Sequence, residues 1–266
     1  MSMYHAVSVV RHLLMAWNNA GVRTSNPFYY NLLHSVIRSG RQQQLTESSD
    51  QLREEMLNDR HLVRVTDLGT GGWGSRERRV CDIAARAAVP PRQGALLARI
   101  TASEMRNTPT NGGVILELGT SLGISTLCLA AAAPQKRIIT VEGCPVLTML
   151  AKENFIRHGY ENIEQINADF SSALRKLKEE NTTIRFAYID GNHTGEALME
   201  YFNTLMEMAG EEITIVADDI HLTRSMYKGW KAIRRDSRIQ LSVEAFHFGL
   251  LYRKQSLISG SFKTRC

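Results

Sequence analysis

At 266 residues, with 43% hydrophobic and 22% charged content, the chain is long enough for one large buried core, or for one domain with a helical extension. Its longest apolar run, Leu127 to Ala133, stops at Pro134, well short of the ~20 residues of a membrane span, and Arg11 and His12 interrupt the apolar start that a signal peptide needs. The net charge of +5 rests on short clusters (Arg76, Arg78, Arg79; Lys231, Arg234, Arg235) without interleaved aromatics, so nucleic acid is not the expected partner, and four cysteines without a CxxC pair suit reduced thiols in a cytoplasmic protein.

In chain order, residues 1 to about 60 read as helical. Val9, Val10, Leu13, Leu14 and Trp17 recur at helical spacing, as do Tyr29, Leu32, Leu33, Val36 and Ile37, with a break from Gly21 to Pro27. The polar segment RQQQLTESSDQLREEMLNDR reads as an exposed helix or linker. The stretch VTDLGTGGWG (65–74) follows, then helical signals over Val80–Ala88 and Ala95–Met105, and NTPTNGG is a turn. From Val114 short β-rich runs alternate with helical stretches: VILEL, RIITVE, NIEQINA, IRFAYID and ITIVADD, then IQLSVEA and FHFGLLYR spaced like a hairpin. This pattern predicts an α/β fold, a doubly wound, mostly parallel, seven-stranded Rossmann-like sheet with an antiparallel last strand. The expected organisation is a helical N-terminal extension over 1–110, with a glycine-rich lid loop at 67–79, and a catalytic domain over 111–266. The N-terminal helices are the expected surface of any homodimer.

Two stretches share Leu-Gly-Thr, and their context separates them. ILELGTSLGIS (115–125) has an apolar strand before it, a helix after it, and Glu142 at the tip of the next strand, 23 residues beyond Gly119. An acid there can accept the two ribose hydroxyls of an adenosine. VTDLGTGGWG lacks a second strand with a terminal acid, and reads as a loop only. The polar groups at the ends of later strands are Asp190 and His193 of IDGNH, and Asp218, Asp219 and His221 of IVADDIH. Three carboxylates at two strand ends suit a divalent cation such as magnesium, which would lower the pKa of a bound hydroxyl. His193 is a candidate base. The competing reading makes these acids helix caps and His221 a residue that holds rather than reacts.

Glu117-Leu-Gly119-Thr-Ser-Leu-Gly123 is not GxGxxG. With Glu142, Asp169 and Asp190 in order, it resembles class I S-adenosylmethionine-dependent methyltransferases. That resemblance implies cofactor binding through Glu117, Gly119, Thr120, Ser121, Gly123, Glu142, Asp169 and Asp190. Asp190-Gly-Asn-His193 with Asp218-Asp219 resembles the macrocin-type metal-dependent O-methyltransferases more than the catechol type, which has Asn where Asp219 stands. It implies a metal at Asp190, Asp218 and Asp219, with Asp190 and His193 catalytic and a small-molecule acceptor. Asn26-Pro-Phe-Tyr-Tyr30, the 65–74 loop followed by arginine, and Trp230 extend the likeness to a group of bacterial methyltransferases of unassigned substrate. Trp73, Arg76 and Arg79 then suit a lid over substrate. The rivals are a catalytically inactive cofactor-binding module and an N-methyltransferase acting on nucleic acid or protein, although the Asp/Asn-Pro-Pro-Tyr loop of the latter is absent. An NAD enzyme is disfavoured by the spacing of the glycines.

Overall fold

The computed structural model describes residues 3–17, 25–40, 42–67, 74–110 and 112–264. The tip of the first glycine stretch (68–73), with Trp73, and Cys266 lie outside the described residues, as does any account of the Leu13, Leu14 and Trp17 side chains. The chain forms two compact units: Met1–Ser39 with Thr183–Cys266, and Gly40–Thr182. They do not coincide with the expected 1–110 and 111–266 division. The reason is local: Tyr29 stacks on Phe262, with ring centroids 3.9 Å apart, and His12 Nε2 donates to the Thr264 carbonyl at 2.9 Å, tying the first helices to the last strand.

Helix α1 (Met3–Trp17) is followed by α2 (Pro27–Asn31), which continues as a π-helical turn over Leu32–Ile37. Asn26 starts α2 by accepting from the Tyr29 amide at 2.9 Å, and Pro27 supplies a preset φ at the first turn.

The middle unit begins with α3 (Glu47–Asn58), which is the polar segment; its thin buried stripe is Leu52 and Met56. Strands β1 (Leu62–Asp67) and β2 (Gly74–Arg79) form an antiparallel hairpin that the sequence did not suggest. Val63 and Val65 pack it onto a cluster containing Leu122, Ile124, Cys144, Leu147 and Phe155. Helices α4 (Val80–Ala87) and α5 (Pro91–Met105) follow. Then β3 (Val114–Leu118), α6 (Ile124–Ala132), β4 (Ile138–Glu142), α7 (Pro145–Arg157), β5 (Ile163–Asn167) and α8 (Phe170–Glu179) alternate, with β3–β4 and β4–β5 parallel. Ile115, Leu116, Leu118, Ile138, Ile139 and Val141 are wholly buried, each contributing about 1.5–3 kcal/mol by leaving water.

The other unit resumes with β6 (Ile184–Ile189), α9 (Gly195–Met208), β7 (Ala209–Ala217), α10 (Arg224–Ile233), β8 (Leu241–Ala245), β9 (Phe248–Arg253) and β10 (Gly260–Lys263). Strand β6 runs parallel to β7; β9 is antiparallel to both β7 and β8. All seven expected strands are present as β3 to β9. An eighth, β10, pairs in parallel with β8 and was not expected. Among the described residues no helix is long and apolar enough to cross a membrane.

Candidate cofactor cradle and acceptor loops

The turn between β3 and α6 needs left-handed backbone three times, at Gly119 (φ +113°), Ser121 (φ +48°) and Gly123 (φ +87°). At Gly123 glycine is required twice over, because a Cβ would lie 2.5 Å from Phe155 Cε1. The Ser121 amide donates to Glu142 Oε2 at 2.9 Å and the Cys144 amide to Oε1 at 2.8 Å, so the acid at the tip of β4 gathers both flanking loops around itself. Buried Asn154 of α7 braces the same turn by donating to the Leu122 carbonyl at 2.9 Å.

Glu117 is wholly buried. Its Oε2 accepts from the hydroxyls of Thr126 and, at 2.6 Å, Thr140, whereas Oε1 has no hydrogen-bond partner. Burial outweighs the hydroxyls of Ser125, Thr126 and Thr140 and pushes the carboxyl up to about 7. Thr120 is also turned inward, its hydroxyl bonded to that of Thr140. Asp169 is exposed and caps α8, accepting from the Ser172 amide at 2.9 Å, a bond that holds its carboxyl below the usual range. An orphaned buried carboxylate oxygen beside a glycine turn, with a second acid at the next strand tip, fits the ammonium and ribose of a nucleoside–amino acid cofactor.

In the other unit, Asp190 follows β6 and Asp218–Asp219 follow β7. The Tyr188 hydroxyl donates to Asp218 Oδ2 at 2.6 Å and lies 3.3 Å from Asp190 Oδ2, and the Asp219 amide donates to Asp218 Oδ1 at 2.7 Å. Burial, and then the charge of Asp219, raise the Asp218 carboxyl above its ordinary range. Asp219 has φ +50° and its Oδ1 is 4.0 Å from His247 Nδ1. Among the described residues only His12, His221 and Glu244 offer three ligand atoms within 4.8 Å of one another. Of the expected metal set, Asp190 and Asp218 both approach the Tyr188 hydroxyl, and Asp219 is the next residue after Asp218. Tyr188 and a backbone amide already use the oxygens of Asp218, while Asp219 is drawn towards His247.

His193 lies with Nε2 3.9 Å from Asp190 Oδ1, and its Nδ1 is buried without a partner. Burial lowers its pKa, partly offset by the charge of Asp219, which keeps the ring neutral at pH 7. Thr194 caps α9 and Thr223 caps α10 by accepting from the Ala197 and Met226 amides, so the helix caps fall to threonines and the acids are left for other work. His221 turns away to Glu244 Oε1 at 3.1 Å, the holding role. Tyr188, Thr126, Thr140 and Asn154 were missed by the sequence reading. Tyr188 and Thr140 sit in apolar runs, where a polar atom gives no signal, and Asn154 reads as one more polar position of the helix around Lys152 and Glu153.

The order of elements and these strand-tip acids define a Rossmann-like α/β fold of the class I methyltransferase type. Residues 116–220 match the family model described as a methyltransferase domain. Three solved structures share the fold. The O-methyltransferase from Bacillus cereus in complex with S-adenosylhomocysteine is 16% identical, with a TM-score of 0.56 over 85% of this chain and 97% of that one. TomG from Streptomyces achromogenes, an O-methyltransferase of tomaymycin synthesis bound to S-adenosylmethionine, is 17% identical, with a TM-score of 0.54 over 90% and 100%. The Podospora anserina methyltransferase PaMTH1, bound to S-adenosylhomocysteine, is 14% identical, with a TM-score of 0.56 over 88% and 99%. No curated protein matches the chain in sequence.

Proposed function

We propose that the chain is an S-adenosylmethionine-dependent O-methyltransferase for a small-molecule acceptor, with His193 as the base. The observation that carries this reading is the His193 ring, whose Nε2 lies 3.9 Å from Asp190 Oδ1 at the end of β6 and whose pKa burial lowers. The O-methyltransferase names of two structural neighbours support the choice of oxygen.

Bound S-adenosylmethionine supplies a sulfonium methyl carbon, to which an acceptor oxygen bonds as the carbon–sulfur bond breaks. Glu117 Oε1 would hold the amino acid ammonium, Gly119, Thr120, Ser121 and Gly123 would let the backbone approach, Glu142 would accept the ribose hydroxyls, and Asp169 would face the adenine amine. His193 would take the acceptor's proton, and Asp190 would stabilise the resulting imidazolium. The resemblance to metal-dependent relatives implies an ion at Asp190, Asp218 and Asp219. An ion there would share the oxygens of Asp218 with the Tyr188 hydroxyl and the Asp219 amide.

The test is methyl transfer to a panel of hydroxylated acceptors, with binding of S-adenosylhomocysteine measured beside it. His193→Gln should cut kcat by about 10²–10⁴-fold and leave cofactor affinity intact. Cofactor binding without transfer to any acceptor would favour the binding module, and transfer to nitrogen would favour the N-methyltransferase.

A further inference from the structure

Glu244 on β8 is wholly buried, yet its oxygens gather donors from three other elements. Oε1 accepts from Lys263 Nζ of β10 at 2.8 Å and His221 Nε2 at 3.1 Å; Oε2 accepts from Arg234 Nη1 at 2.7 Å and Trp230 Nε1 at 3.2 Å, both at the end of α10. A fourth element approaches from α1, where His12 Nδ1 lies 3.5 Å from Oε1 while Nε2 donates to the Thr264 carbonyl. The His221 ring stacks on both Tyr227 and Phe246, with centroids at 4.5 and 5.1 Å. Burial alone would raise the Glu244 carboxyl, but these donors outweigh it and keep it ionised. None of these groups belongs to the cofactor cradle or to the Asp190–His193 pair.

The three ligand atoms of His12, His221 and Glu244 are close enough for a cation. An ion there would lie against the Lys263 ammonium and the Arg234 guanidinium, which already neutralise the carboxylate, so protein donors hold this hub rather than a metal. What the hub does follows from His221, two residues beyond Asp219. The loop it anchors is otherwise fastened by the Ile220 amide to the His247 carbonyl at 3.3 Å and by the Leu222 amide to the Asp219 carbonyl at 2.8 Å.

We infer that Glu244 is a positioning residue for the acceptor site: through His221 it holds the loop that carries Asp218 and Asp219, and through His12 it makes that hold depend on helix α1. This inference rests on the proposed reading of that loop as part of the acceptor site.

Residue-resolved amide exchange on the full chain tests it, with Glu244→Gln and, in case that variant does not fold, His12→Gln, whose side chain can still donate to the Thr264 carbonyl. Protection at Asp219, Ile220 and Leu222 should fall by about tenfold or more, while Tyr188 and Val216 in the strands, and the α1 amides of the His12 variant, stay protected. Affinity for S-adenosylhomocysteine should not change, and with a working acceptor KM should rise more than kcat falls. Unchanged loop protection in the folded variants, or a uniform loss across strands and helices, overturns the inference. So does one equivalent of zinc in the purified protein whose removal loosens the loop, since the hub would then be a metal centre. If the wild type itself fails to bind S-adenosylhomocysteine, the cofactor reading falls, whereas the exchange pattern still decides this one.

Discussion

Glu117 carries a carboxyl that the fold has taken out of water and satisfied on one oxygen alone. Its pKa near 7, against an ordinary 4.5, means that the folded state binds the proton more tightly than the unfolded chain. The resulting stability is fully present below about 4.5 and lost as pH rises through about 7, on the order of 3 kcal/mol in total. A cofactor ammonium would reverse the balance by pairing with the ionised form. Thermal unfolding should therefore show S-adenosylhomocysteine raising Tm more at pH 8.5 than at pH 5.5, with the difference abolished in Glu117→Gln. Equal increments at both pH values, or the same pH dependence in the variant, would exclude Glu117 as the ammonium's partner. His193 shifts the opposite way. Its base form persists below its ordinary value of 6.5, so the pH–rate profile of transfer should stay flat through neutrality and fall only in acid. At this scale the sequence was most legible where spacing carries the information, as with Glu117, the two glycines and Glu142. Tyr188, Thr140 and Glu244 were hidden because their partners lie far away in sequence, for Tyr188 at Asp218 and for Glu244 at His12.

Two helices set the loops that follow β6 and β7, and glycines let them touch. A Cβ on Gly229 of α10 would lie 2.7 Å from the Cα and carbonyl oxygen of Gly195, the first residue of α9. The Gly195 amide also donates to Ser225 Oγ at 3.0 Å, and that hydroxyl donates to Glu196. The loop ending in His193 and the loop beginning at Asp218 therefore run into helices that meet backbone to backbone. Gly229→Ala should push them apart at a cost of about 2 kcal/mol, read by urea unfolding, and should lower transfer more than cofactor affinity. Unaltered stability would mean that the helices slide without strain. The alternation of β3 to β9 with helices was legible because buried parallel strands read as continuous apolar runs, as in VILEL and ITIVA. The β1–β2 hairpin was not, since LVRVTD offers only the two-residue alternation of Val63 and Val65, and GSRERR has no apolar residue at all. Four-residue β10 is too short to register.

For the molecule as a whole, the metal is the sharpest open comparison with the relatives it resembles. Because Asp218 is occupied by Tyr188 and a backbone amide, prolonged dialysis against EDTA should leave methyl transfer within about twofold of its starting rate. A loss restored by magnesium would mean that the loop rearranges to admit an ion. The expected boundary near residue 110 rests on periodicity, which locates helices without saying which strands they cover; Asn26, for example, donates to the Ile258 carbonyl, 232 residues away.

That pairing has a consequence during synthesis. Residues 40–182 are all available once position 182 has left the exit tunnel, and this unit can condense as the chain emerges. Helices α1 and α2 are made well before strand β10 and cannot meet it until Gly260–Lys263 have left the exit tunnel. At roughly 5–20 residues per second they wait on the order of ten to fifty seconds. Helices α1 and α2 thus wait longer for their partner strand than the elements of residues 40–182 wait for theirs.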